Sequence, residues 1–104
     1  MSDYVPKLIA KIKRTEVAER KNLLRKSLDR MLRGILELSK DESMDHTVPF
    51  NEMGLNSISG IKFMGEIADN LGEIEGFGVN KIIDHPSIDA LTEYIAGKIN
   101  LEEI

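Results

Sequence analysis

An all-α fold of three principal helices and one short one is predicted by three features of the 104-residue sequence. Apolar side chains recur at three- and four-residue intervals in separate segments, the period of a helix that buries one face. Helix-start and helix-stop residues bracket those segments. No stretch alternates apolar and polar residues as a half-buried strand does, and the chain shows no internal repeat or low-complexity tract.

Each element follows from its own residues. Val5, Leu8, Ile9 and Ile12 stand at helical spacing, but Pro6 and the surrounding lysines weaken that segment, so residues 1–18 are expected to be a linker or a partly helical extension. Leu23, Leu24, Leu28, Met31, Leu32, Ile35 and Leu36 predict the first long helix over 16–38. From 39 to 55 the periodicity is lost and Asp41, Ser43, Asp45, Pro49 and Gly54 collect, which reads as a long ordered loop anchored by Val48, Phe50, Met53 and Leu55. Asn56 is a good N-cap for the proline-free run 57–71, and Gly72 closes it. Gly72, Gly76 and Gly78 mark the next loop, and residues 79–84 have room only for a short helical turn with Ile82 and Ile83 pointing inward. Pro86 and Ser87 restart the chain, and Ile88, Leu91, Tyr94, Ile95 and Ile99 form the stripe of a last helix ending near Lys98. The domain is expected over 19–100, with 101–104 as a tail.

Composition excludes several classes of function. Without cysteine the chain has no disulfide, no thiolate nucleophile and no zinc-thiolate site, and a reducing cytoplasm suits it best. No apolar run approaches the roughly 20 residues that span a bilayer, so no membrane association is expected. The net charge of -4 conceals two halves of opposite sign: eleven bases face five acids up to Lys40, and three bases face thirteen acids beyond it. Such an acidic body repels nucleic acid and steers toward basic protein surfaces. The basic N-terminal segment, with Val5, Leu8 and Ile12, reads as an interdomain linker or docking element rather than a nucleic-acid arm. His46 and His85 lie far apart in no metal-ligand spacing, no nucleophile–base–acid set is visible, and no catalytic or metal site is expected.

The helix over 57–71 has two apolar faces. At about 100° per residue, Gly60, Phe63, Met64, Ile67 and Leu71 fall within one arc, the core face. Ile58, Ile61 and Gly65 fall on roughly the opposite side, among Lys62, Glu66 and Asp69. An apolar patch rimmed by charge is the pattern of a protein contact site, although single surface isoleucines are common. Ser57 stands beside the patch, where an ordinary serine would be no more than a helix-start residue.

Gly54-Leu55-Asn56-Ser57-Ile58 resembles the attachment motif of the acyl and peptidyl carrier protein family, a Gly-x-Asp-Ser-Leu core before the second helix. Upstream, Glu19-Arg20-Lys21-Asn22-Leu23-Leu24 is similar to the opening segment of carrier domains in modular polyketide synthases. Downstream, Ile83-Asp84-His85-Pro86-Ser87-Ile88, followed by Leu91 and Tyr94-Ile95, resembles their last loop and helix. The resemblance spans about residues 19–99 in order and at nearly the family's spacing. It implies a four-helix carrier fold and a phosphopantetheine covalently attached to Ser57. It further implies a non-enzymatic role, in which biosynthetic intermediates are held as thioesters and passed between polyketide synthase enzymes. The implied partners are a phosphopantetheinyl transferase, a ketosynthase, an acyltransferase and other assembly-line enzymes, met by a monomer when the domain is excised. Ile58, Ile61, Lys62, Gly65, Glu66 and Asp69 would form the partner surface.

Three departures accompany the resemblance. Asn56 stands where the family has Asp, keeping the cap but removing a negative charge beside the attachment point. The loop from Gly72 to Gly78 is longer and more polar than the family's, an adaptation to one particular partner in this reading. Phe63 occupies a position where carrier domains commonly have leucine and those serving beta-branching in polyketide pathways often have tryptophan, but its place in the buried arc makes it foremost a core residue. A peptidyl carrier of a nonribosomal peptide synthetase and an unmodified helical interaction module are the alternative readings, the latter favoured by Asn56.

Overall fold

The computed structural model describes residues 5–104. Among them, five helices succeed one another: α1 (Lys7–Lys13), α2 (Val17–Leu36), α3 (Ser57–Leu71), α4 (Val79–Asp84) and α5 (Ile88–Lys98), with a 3-10 turn over Phe50–Met53 between α2 and α3. Among the described residues there is no strand. The all-helical expectation holds, and α3 spans the residues that its cap and its stop glycine predict.

The core follows from the helical stripes. α2 contributes Leu24, Leu28 and Leu32, α3 contributes Gly60, Phe63, Ile67 and Leu71, and α5 contributes Ile88, Leu91, Ile95 and Ala96. Phe63 is fully buried, and its ring meets that of Phe50 edge-on, with centroids 5.6 Å apart and planes at 85°. The aromatic at 63 is therefore a core residue, held by a favourable quadrupole contact with the loop before α3.

Both segments outside 19–100 contribute to this core. α1 buries Leu8 and Ile12, so the N-terminal extension is helical and packed over these residues; residues 1–4 lie outside the described ones. Its approach requires a glycine at the end of α3: Gly72 has φ +80°, and a Cβ there would lie 3.0 Å from Pro6 Cγ. At the other end, Arg20 is almost fully buried and its Nη1 donates to the carbonyls of Leu101 and Ile104, each at 3.0 Å. Those bonds hold the last residues against α2 and bury Leu101.

The long loop between α2 and α3 is fastened at three points. His46 Nε2 lies 2.5 Å from Asp29 Oδ2 on α2, and because a carboxylate only accepts, the imidazole N–H is the donor. Arg33 pairs with the other carboxylate oxygen of Asp29. The His46 carbonyl accepts from Asp89 N–H at 3.0 Å, and the Phe50 N–H donates to the Pro86 carbonyl at 2.6 Å, tying the loop to the start of α5.

One inward-facing expectation is corrected. Ile82 is buried, but Ile83 is 69% exposed. Adjacent residues of a helix are turned by about 100°, so a six-residue helix lying on α3 buries one stripe and leaves the next residue outside.

Candidate functional site

The start of α3 is built by a reciprocal cap. Asn56 Oδ1 accepts from Ser59 N–H at 2.9 Å, and the Ser59 hydroxyl accepts from Asn56 N–H at 2.8 Å. Gly54, at φ +101°, turns the chain from the 3-10 turn into this cap. Asn56 therefore occupies the helix-cap position that the sequence predicts. The participation of Ser59 was not anticipated, because the usual partner three residues after a cap is Glu or Gln; the Asn-x-x-Ser spacing is the signal that carries it.

The cap distinguishes the two hydroxyls of this turn. Ser59 Oγ is engaged by Asn56, also donating toward the Asn56 carbonyl at 3.3 Å. Ser57, the first helical residue, is exposed. It lies where unpaired backbone N–H groups and the helix dipole produce a positive potential. An exposed hydroxyl there can carry a phosphodiester, whose charge the helix end stabilises.

The exposed apolar groups lie next to it. Ile58 is 69% and Ile61 56% exposed, so both stand outside the core as the helical wheel predicts. α4 rests on α3 close by: a Cβ on Gly60 would be 3.9 Å from Val79 Cγ1. Ile83 on α4 is a further exposed isoleucine that the sequence reading had placed inside.

The remaining partner-surface candidates have different surroundings. Lys62, Gly65, Glu66 and Asp69 line one wall of a groove whose other walls are α1 and α2. Ile58 and Ile61 are not part of that groove. The single set expected from the sequence is thus divided between an apolar end near Ser57 and a charged groove farther along α3.

Neither histidine belongs to this site. His46 is bound to Asp29, and His85 stacks on Tyr94 with ring centroids 4.3 Å apart. Among the described residues no cluster of three His, Cys, Asp or Glu side chains is arranged to hold a metal ion, and no helix is long and apolar enough to cross a membrane.

Comparison with known proteins gives two matches. The family model described as phosphopantetheine attachment site matches residues 26–95. A solved structure, the A1-type ACP domain from module 5 of MLSA1, superposes with a TM-score of 0.71, covering 86% of this chain and 87% of that one at 20% sequence identity. At that identity the likeness is one of fold. No curated protein sequence matches.

Proposed function

The chain belongs to the phosphopantetheine attachment family, whose members bear the group covalently, and from this premise we propose that it is an acyl carrier protein loaded on Ser57. One observation carries the choice of residue: Ser57 is exposed at the start of α3 while Ser59, two residues on, is held in the cap. The free N–H groups of the first turn suit the phosphate, and the apolar Ile58 and Ile61 lie beside it for the enzymes that must approach.

When attached, the arm supplies the thiol that a chain without cysteine lacks. The protein's own work is to hold the attachment oxygen on a rigid helix end, to favour the phosphodiester's charge and to present a recognisable surface. Ile58, Ile61, Lys62, Gly65, Glu66 and Asp69 form that surface, toward a phosphopantetheinyl transferase, a ketosynthase, an acyltransferase and other assembly-line enzymes of the cytoplasm. A polyketide pathway is supported by the opening segment at 19–24 and by the stretch from Ile83 to Ile88. Residues 19–100 form the carrier unit in this reading, with α1 and Leu101 packed against its core.

Asn56 favours a second reading, an unmodified interaction module, because it removes the negative charge that the family has before the serine. Intact mass of the chain isolated from its native source separates the two. An added phosphopantetheine, free or acylated, supports the carrier; a bare polypeptide from cells with an active transferase supports the module.

A further inference from the structure

The groove between α1, α2 and α3 is the seam at which the basic half of the chain meets the acidic half. Its volume is ≈ 880 Å³. Its floor is apolar, formed by Leu8, Met31 and Ile35. Lys7 and Lys11 rise from α1 and Arg30 from α2, with Glu37 just past the end of α2, opposite Lys62, Glu66 and Asp69 on α3. None of these seven charged side chains forms an ion pair among the described residues, whereas α2 uses Lys21, Arg25 and Arg33 in ion pairs elsewhere. The α1 and α2 wall thus keeps a net positive charge and the α3 wall a net negative one, on either side of an apolar floor.

We propose that this groove is a second docking seat, separate from the isoleucines near Ser57, and that its occupant is an amphipathic helix of a partner protein with an acidic flank and a basic flank. The assignment rests on the reading of Lys62, Gly65, Glu66 and Asp69 as partner-facing and gives the partner its chemistry. A helix matches the dimensions: Ser27 to Ile35 and Lys62 to Asn70 each extend about 12 Å at 1.5 Å per residue, the length of about two helical turns. An apolar stripe would lie on the floor, acids would face α1 and α2, and bases would face α3. An all-acidic segment would be repelled by Glu66 and Asp69, and an all-basic one by Lys7, Lys11 and Arg30. The α1 helix creates the cationic wall, so partner choice is written into the N-terminal extension.

The test uses the full chain, labelled with nitrogen-15, and three lactam-bridged helical peptides with the same leucine stripe. One carries glutamate on one flank and lysine on the other, the second glutamate on both, the third lysine on both. The mixed peptide is expected to bind at least about fivefold more tightly than either uniform one, to lose affinity with rising salt, and to shift the amides of 8–11, 30–35 and 62–70. Joint reversal by Lys11→Glu and Arg30→Glu is expected to weaken it about tenfold with helicity and thermal midpoint kept, since both side chains are exposed and unpaired. Equal affinity for the three peptides, no binding, shifts confined to residues 58–61 and 83, or indifference to the reversal would each overturn the proposal. Loading by a phosphopantetheinyl transferase, measured on the same samples, involves neither Lys11 nor Arg30 in this account; its failure in the native chain would count against the carrier reading and leave the docking result to stand on the peptides.

Discussion

Asn56 and Ser59 satisfy one another's backbone N–H groups at the first turn of α3, at 2.8 and 2.9 Å. The exchange fixes the turn on which Ser57 stands, so stability and loading depend on neighbouring but different side chains. Ser59→Ala removes the bond to the Asn56 N–H but keeps the Asn56 cap, and is expected to lower stability by about 0.5–1.5 kcal/mol, the value of one hydrogen bond, and to leave the loading of Ser57 intact. Asn56→Asp keeps an accepting oxygen and adds a charge at the positive helix end, for a gain of about 0.3–1 kcal/mol. Thermal unfolding of the two variants checks both signs.

Asp29 governs a pH dependence. Desolvation pushes its carboxyl up, but the hydrogen bonds from His46 and Arg33, with their charges, outweigh burial and bring its pKa below the ordinary carboxylate value. A group with a lowered folded-state pKa stabilises the fold above its unfolded value and loses that contribution as pH falls through the folded one. Stability is therefore expected to decline below about pH 4 more steeply in the native chain than in Asp29→Asn. At neutral pH the same substitution is expected to cost about 1–2 kcal/mol and to loosen residues 39–49, read as faster amide exchange at Thr47 and Val48. Equal acid limbs for the two proteins would show that the Asp29 carboxylate does not fasten the loop.

Phe63 tests the core. Phe63→Ala is expected to cost about 3–5 kcal/mol, since it empties a fully buried site and removes the edge contact with Phe50. Phe63→Leu, which keeps most of the volume, is expected to cost less than half of that. Urea unfolding with an unchanged slope would confirm that stability, and not the compactness of the unfolded chain, has moved.

α1 tests whether the N-terminal extension belongs to the folded unit. Ile12→Ala is expected to cost about 2–5 kcal/mol, because Ile12 is fully buried. Gly72→Ala is expected to destabilise as well, through its positive φ and the 3.0 Å approach to Pro6. A linker would tolerate both changes with no shift in the thermal midpoint.

What could be read from the sequence was local. The limits of α3 are set by a cap at Asn56 and a stop at Gly72, and its core face by a period within fifteen residues, so all three were legible. Relationships across the chain were not. Asp29 and His46 stand 17 residues apart, and Arg20 reaches carbonyls more than 80 residues away; nothing in either neighbourhood announces the other. The packing of α1 was hidden for the same reason. Leu8 and Ile12 form too short a stripe to predict burial, which depends on the surface of α3 and on the space that Gly72 leaves. Ile83 was misplaced because a short apolar pair does not say which member faces inward until the helix axis is known. The partner surface follows from one helical wheel, and a wheel cannot show that α1 and α2 flank four of its six residues.

The central claim is tested most directly by the mass of the peptide that spans α3 after incubation with coenzyme A, magnesium and a broad-specificity transferase. The account predicts a single phosphopantetheine located by fragmentation on Ser57, present in Ser59→Ala and absent in Ser57→Ala. A modification that persists in Ser57→Ala, or one located on Ser59, would contradict it.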